Sequence, residues 1–170
     1  MDLSNMVRVV HDFPREGIVF RDITTVLRDK DALAASIDQM AQKLCGLDFD
    51  LIVGPESRGF IFGVPVAYKL RKGFVPVRKK GKLPFHTVSK TYDLEYGAAV
   101  IEMHRDAVQP GQRVVIVDDL LATGGTARAV VDMLEEAGAR VISLVFLIEL
   151  SELNGRKLFD GFNVDSIITY

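Results

Sequence analysis

The chain has 170 residues, of which 48% are hydrophobic, and this is sufficient for one globular domain with a buried core. A formal net charge of −2 excludes a general attraction to nucleic acid or to anionic membranes, so neither partner is expected. The first residues lack the basic and apolar parts of a signal peptide, and the longest apolar run is too short to span a bilayer. The single cysteine, Cys45, allows no intrachain disulfide and is interpreted as a small core residue on a helix. We therefore expect a cytoplasmic protein.

Strand-like and helical patterns alternate along the first half of the chain. Residues 3–10 are interpreted as a short helix, and residues 13–23 as a loop followed by an extended segment. Apolar residues at helical spacing predict an amphipathic helix over residues 31–45. A short buried strand at residues 51–53 then leads through a polar turn into a helix over residues 60–70.

The second half continues this alternation around one irregular segment. Residues 83–100 show no sustained period and are predicted to form a mobile β-ribbon loop. A helix is predicted from residue 127, with Gly138 as its C-terminal stop. Further strands are predicted at residues 75–77, 114–117, 141–148 and 164–169. The alternation predicts an α/β fold, a single domain over residues 1–170 with a central, mainly parallel sheet flanked by helices.

The segment after the strand at 114–117 has the residue types of a phosphate-binding loop. Two aspartates are predicted to end the strand, and a loop with adjacent glycines then leads into a helix. The glycines allow close approach of the backbone, and the N–H groups at a helix start favour an anion. Carboxylates repel phosphate but accept hydrogen bonds from sugar hydroxyls. The predicted ribose and 5′-phosphate site comprises Asp118, Asp119, Ala122, Thr123, Gly124, Gly125 and Thr126.

Two common phosphate-binding motifs are absent from this segment. It lacks the lysine of the P-loop that binds nucleoside triphosphates, and its glycine spacing differs from that of dinucleotide-binding loops. For the glycine pair alone, an ordinary turn between strand and helix with solvent-facing acids remains an alternative.

A second polar loop, at residues 54–59, also follows a predicted strand, so both loops should lie at the same edge of the sheet. The guanidinium of Arg58 presents a fork of donors that suits a diphosphate, and Ser57 can add another donor. Arg78 and Lys79 end a further strand and are predicted to contact the same group, although a solvated charge run is the alternative for them.

The whole run VVIVDDLLATGGTA resembles the signature of the phosphoribosyltransferases that bind phosphoribosyl diphosphate. Further stretches resemble the adenine-specific members of that family, in the same order and spacing along essentially the whole chain. They are residues 13–23, 54–60, 78–84, the LEYG segment, Glu149-Leu150 and Gly155-Arg156. This resemblance implies the type I phosphoribosyltransferase fold, with an N-terminal hood (residues 1–30) over the base.

The resemblance also implies an activity, a cofactor and an assembly. The expected reaction transfers the 5-phosphoribosyl group from phosphoribosyl diphosphate to N9 of adenine and gives AMP and diphosphate, a step of purine salvage. Because this substrate carries roughly five negative charges, Mg²⁺ is expected, held mainly through substrate and water without direct protein ligands. A homodimer is expected from the family.

Site residues carried over from the resemblance lie in three parts of the chain. In the hood, Phe20 is expected to stack on adenine while the backbone of Val19 and Arg21 contacts the purine edge. In the loop, Glu95 is expected to transfer the N7 proton, and Tyr96 to cover the site as a lid. The predicted diphosphate site comprises Glu56, Ser57, Arg58, Arg78 and Lys79, with a cis peptide between Glu56 and Ser57.

Two alternatives remain at this point. One is a phosphoribosyltransferase for another base, a 6-oxopurine or orotate. The other is a non-enzymatic, purine-responsive regulator that uses the same loop to sense its ligand. Such a regulator requires a basic DNA-binding module, and the residues before the first long helix show no basic stripe.

Overall fold

A computed structural model describes residues 1–93 and 97–170. In these ranges the helices are α1 Thr24–Arg28, α2 Lys30–Lys43, α3 Arg58–Leu70 and α4 Gly125–Glu136. The strands are β1 Arg8–His11, β2 Val19–Asp22, β3 Leu51–Pro55, β4 Gly73–Lys79, β5 Thr87–Asp93, β6 Ala98–His104, β7 Arg113–Leu121, β8 Arg140–Glu149 and β9 Asn163–Thr169. Short 3-10 segments span Ser4–Met6, Ser151–Leu153 and Gly155–Phe159.

Within the described residues, a seven-stranded sheet has the order β5-β6-β4-β3-β7-β8-β9. The strands from β4 to β9 in this order pair in parallel, whereas β5 and β6 form an antiparallel ribbon at one edge. The predicted α/β fold with a mainly parallel sheet is confirmed. The ribbon covers most of the segment that was predicted to be a β-ribbon. Outside this sheet, β1 and β2 form a separate antiparallel pair.

The central strand β7 is buried on both faces, as its run of β-branched residues predicts. Val115 and Val117 pack in one core layer with α2 and α3. Val114 and Ile116 pack in the other layer with α4 and β6. This alternation places β7 in the middle of the molecule, so the segment that follows it starts from a fixed position.

Three sequence-based predictions about local structure are wrong. Residues 3–10 form only a 3-10 turn at Ser4–Met6 and no longer helix, because Val9 and Val10 are β-branched and pair in β1 with β2. Cys45 is exposed, because α2 ends at Lys43 and the cysteine falls in the following turn. The aspartates do not end β7, which stays paired with β8 as far as Leu121.

Across the described parts of the chain, each helix is too short or too polar to cross a lipid bilayer.

Candidate functional site

The two polar loops predicted from the sequence line one cavity of about 250 Å³. They meet because β3 and β7 are parallel neighbours, so their carboxyl ends lie at the same edge of the sheet. The cavity is lined by Pro55, Glu56, Ser57 and Arg58 from the first loop and by residues 118–127 from the second. All seven residues of the predicted ribose and 5′-phosphate site are therefore brought together.

The second loop has the geometry of an anion cradle. Gly124 adopts a φ of +85°, a left-handed conformation that favours glycine, and α4 begins at the next residue. No side chain caps the N-terminus of α4, and residues 124–127 line the cavity, so the first N–H groups of the helix are available to an anion there. The positive end of the α4 dipole adds to the attraction for an anion.

Asp118 and Asp119 both line the cavity, next to the cradle. The Asp118 carboxylate accepts a hydrogen bond from the Asp119 N–H at 2.8 Å. Burial of its carboxyl, and then the charge of Asp119, raise the pKa of Asp118 well above its ordinary value. Burial also raises the pKa of Asp119, although the nearby Arg58 opposes this effect. Two adjacent carboxylates on a concave surface suit the recognition of neighbouring hydroxyl groups.

The first loop approaches the aspartates very closely. The peptide between Glu56 and Ser57 is cis, as predicted. A Cβ on Gly59 would lie 2.9 Å from Asp118 Oδ1, so only glycine allows this approach of α3 to the end of β7. The Nε of Arg58 forms an ion pair with Asp119 Oδ2 at 2.9 Å. The cation predicted to contact diphosphate is thus held by a carboxylate predicted to contact ribose.

Arg78 and Lys79 lie beside the first loop but do not line the cavity. The Glu56 carboxylate accepts a hydrogen bond from the Lys79 backbone N–H at 2.6 Å and lies 3.4 Å from Arg78 Nε. The Glu56 backbone N–H also donates to Val77 O at 2.8 Å. The Glu56 side chain therefore ties the first loop to the end of β4 instead of pointing a negative charge at a bound anion.

A second cavity, of about 410 Å³, adjoins the first at Arg58, which lines both. Its aromatic walls are Phe20 and Phe13, whose rings meet edge to face with centroids 5.1 Å apart. The Arg58 guanidinium carbon lies 5.8 Å from the Phe20 ring centroid. The other lining residues are Val10, Asp22, Ile23 and Thr24.

Sequence reasoning identified Phe20 for this second cavity and Arg58 for the diphosphate site, and it missed the other lining residues. Val19 and Arg21 lie on β2, on either side of Phe20, but are not among the residues that line this cavity. Phe13 lies in the stretch 13–23, which resembles the adenine-specific family members. Only the loop that joins β1 to β2 brings it next to Phe20. Asp22 accepts hydrogen bonds from the backbone N–H and hydroxyl of Thr24, which lower its pKa.

The antiparallel ribbon reaches the anion cradle from the other side. The Thr126 hydroxyl donates to Tyr92 OH at 3.3 Å, and a Cβ on Gly125 would lie 3.6 Å from Asp93 O. The predicted proton-transfer residue Glu95 and lid residue Tyr96 lie outside the described residues.

Comparison with known proteins gives a consistent result along the whole chain. The phosphoribosyl transferase domain family matches residues 23–169. A curated adenine phosphoribosyltransferase from Lachnoclostridium phytofermentans is 60% identical over 168 residues, which cover 99% of this chain and 97% of the relative.

Solved structures give the same picture. The adenine phosphoribosyltransferase from Thermoanaerobacter pseudethanolicus has a TM-score of 0.96 and 54% identity, covering 99% of this chain and 98% of that one. The Saccharomyces cerevisiae enzyme, solved with an imino-altritol bisphosphate and adenine, has a TM-score of 0.91 and 37% identity, covering 97% and 96%.

Proposed function

The chain belongs to the phosphoribosyl transferase family, and on this basis we propose that it transfers the 5-phosphoribosyl group of phosphoribosyl diphosphate to N9 of adenine. The products are AMP and diphosphate, as in purine salvage. The observation that carries this proposal is the pair of cavities that adjoin at Arg58. One has the donors and acceptors for a phosphorylated ribose, and the other has aromatic walls for a base.

In the first cavity, the N–H groups of the cradle bind the 5′-phosphate, and Thr123 and Thr126 add hydroxyl donors. Asp118 and Asp119 accept hydrogen bonds from the ribose hydroxyls. When the bond from the anomeric carbon to diphosphate breaks and the bond to N9 forms, positive charge develops on the sugar ring. The two adjacent carboxylates stabilise that charge.

Arg58 changes partners when substrate binds. In this structure it neutralises Asp119. Its donors are needed by the leaving diphosphate, and the Asp119 carboxylate is needed by the sugar. Substrate binding therefore exchanges one ion pair inside the protein for two contacts with substrate. Arg78 and Lys79, at the end of β4 beside this loop, supply further positive charge to the diphosphate.

The site suits Mg²⁺ that is carried by the substrate. The aspartates of the cavity provide two carboxylates that could contact the waters of such an ion. A magnesium ion commonly keeps several waters and binds phosphate oxygens with few protein ligands. Its contribution when bound is to neutralise charge on the diphosphate.

The second cavity is proposed to select the base. The Phe20 ring stacks on the purine, and the extended backbone of Val19 to Arg21 supplies an acceptor for the 6-amino group and a donor for N1. A 6-oxopurine has the opposite pattern at both positions, so groups on both sides would stay unpaired. Glu95 takes the proton from N7 as the bond to N9 forms, and Tyr96 covers the site.

The test is a panel of bases with phosphoribosyl diphosphate and Mg²⁺, in which diphosphate release and nucleotide formation are measured. Adenine is expected to react, whereas hypoxanthine, guanine and orotate react weakly or not at all. Turnover of hypoxanthine without adenine would refute the choice of base. Nucleotide binding without any release of diphosphate would favour a non-enzymatic regulator instead.

We also propose that the protein is a cytoplasmic homodimer. An exposed apolar stripe on α3, formed by Ile61, Val64 and Tyr68 at helical spacing, supports a contact with a second copy. Tyr68 is 86% exposed, which is more than is usual for a tyrosine in a folded chain. Light scattering should give twice the chain mass, and Val64→Asp should give the monomer mass.

A further inference from the structure

The 3-10 segment Gly155–Phe159, called here the backing segment, packs against the outer side of the anion cradle. A Cβ on Gly155 would lie 2.1 Å from Ala122 O and 3.0 Å from the backbone N of Gly124. In the opposite direction, a Cβ on Gly124 would lie 2.8 Å from Gly155 O. The two backbones are thus in direct contact, and a shift of the backing segment changes the position of the cradle N–H groups.

Arg156 fixes the backing segment to the sheet through all three guanidinium nitrogens. Its Nε donates to Glu149 Oε1 at 2.9 Å, and its Nη2 donates to the other oxygen of the same carboxylate. Its Nη1 donates to Val164 O at 2.6 Å. The hydroxyl of Ser166 donates to Glu149 Oε2 at 2.7 Å and so completes the network.

The same network is tied to the start of the loop. Glu149 is the last residue of β8 and pairs with Leu121, the last residue of β7. The Leu150 N–H donates to Leu121 O at 2.9 Å. Hydrogen bonding from Arg156 also lowers the pKa of the buried Glu149 and so favours its charged form. One network therefore holds both the beginning of the loop and the surface behind it.

Neither Arg156 nor Glu149 lines the cavity, so neither contacts substrate there. We propose that Arg156, acting through Glu149 and the backing segment, is a positioning residue that makes the cradle N–H groups converge on the 5′-phosphate. This inference rests on the proposed function in one respect, namely that the cradle holds a 5′-phosphate. It assigns a role to the Glu149-Leu150 and Gly155-Arg156 stretches, which have none in the reaction described above.

The test compares Arg156→Gln with Arg113→Gln. Arg113 is a matched control because it also pairs with carboxylates, those of Asp48 and Asp50, but at the opposite end of β7. The affinities for ribose 5-phosphate and for adenine are measured by calorimetry, together with the KM for each substrate. Arg156→Gln should weaken ribose 5-phosphate binding by about tenfold or more, because small displacements of a site can have large effects. Adenine affinity should stay within about twofold, and Arg113→Gln should change neither affinity beyond about twofold.

Two further variants keep the result interpretable if Arg156→Gln does not fold. Ser166→Ala removes one donor from the network, and Arg156→Lys keeps the charge without the guanidinium fork. Both should fall between wild type and Arg156→Gln in ribose 5-phosphate affinity. Normal ribose 5-phosphate affinity in a folded Arg156→Gln or, where that variant does not fold, in both of the milder variants would overturn the proposal. An equal loss of ribose 5-phosphate and adenine binding would also overturn it.

The failure of this inference differs from the failure of the proposed function. Ribose 5-phosphate contains no base, so its affinity reports on the cradle even if adenine is the wrong acceptor. A wild-type protein that releases no diphosphate with adenine would refute the function, whereas the ratio of ribose 5-phosphate affinities would still decide the role of Arg156.

Discussion

The ribose–phosphate cavity and the base cavity are built in different ways. The first lies at the end of β7, whose residues Val114 to Val117 are fully buried, and its loop is supported from behind by the backing segment. The second is walled largely by the small β1–β2 pair and its loop, outside the main sheet. There Phe13 is 50% exposed and Val19 is 44% exposed.

This difference separates two kinds of recognition. On the proposed function, the part of the substrate that all reactions of this type share, a phosphorylated ribose, is bound by loops at the edge of the main sheet. The part that varies, the base, is then bound by an accessory hairpin that can change without disturbing the core. Substitutions in the first cavity should therefore reduce catalysis strongly, and those in the second should mainly change the affinity for the base.

The largest effect is expected from Asp119→Asn. A hydrogen bond from a sugar hydroxyl to a charged acceptor contributes about 1.5–3 kcal/mol, so kcat/KM for phosphoribosyl diphosphate should fall roughly tenfold to a hundredfold. Steady-state kinetics measure this, with Asp48→Asn at the far end of β7 as the control. An unchanged kcat/KM would show that the buried cavity is not the one that binds the sugar.

Glu95→Gln tests the proposed transfer of the N7 proton. Turnover should fall by at least about tenfold, the lower range of a general acid–base contribution, because the amide cannot take the N7 proton. Asp93→Asn, two residues away on β5, is the matched control. If the Glu95 variant still produced AMP at the wild-type rate, Glu95 would have no part in the mechanism.

Phe20→Leu should have a smaller and more selective effect. Loss of the aromatic contact, about 0.5–1.5 kcal/mol, should raise the KM for adenine roughly twofold to tenfold, with little change in the KM for phosphoribosyl diphosphate. Phe85→Leu, an exposed phenylalanine that lines neither cavity, serves as the control. Equal changes in both KM values would show that the two cavities are not separable.

The smallest effect is expected on stability, and it should be a gain. The pKa of Asp118 is raised in the folded protein, so its contribution to stability is present below the ordinary aspartate pKa and is lost as the pH rises through the folded value. Asp118→Asn should therefore unfold at a temperature higher by about 2–4 °C at pH 7 while it loses activity. Thermal unfolding curves from pH 4 to 8 should show the advantage growing with pH.

Asp48→Asn should give the opposite sign. Its hydrogen bond with Arg113 lowers the pKa of Asp48, so its carboxylate stabilises the fold above the ordinary aspartate pKa, and this contribution is lost as the pH falls through the folded value. An Asp118→Asn protein that is no more stable than wild type at neutral pH would contradict the inference that the buried Asp118 charge destabilises the fold.

Much of the fold was predictable because its signals are local. The β-branched run of β7 and the apolar positions of α4 each lie in one contiguous segment, and so do all residues of the cradle. Parallel pairing of β3 and β7 then brings the two loops together as expected.

The rest depends on contacts between distant residues. Residues 8–11 form a strand only because β2 pairs with them, and α2 ends before Cys45 because the chain turns there. The pairing of Arg58 with Asp119 cannot be read from sequence, since it depends on how closely α3 approaches β7. The contact of Gly155 with the cradle is equally non-local.

Arg58 has a further consequence because it belongs to both cavities. A sugar phosphate that draws this side chain away from Asp119 also reshapes the wall that a base meets, so the two ligands are thermodynamically linked. Whatever factor ribose 5-phosphate introduces into the affinity for adenine, adenine must introduce the same factor into the affinity for ribose 5-phosphate. Because of this one guanidinium, the affinity for either ligand depends on whether the other ligand is bound.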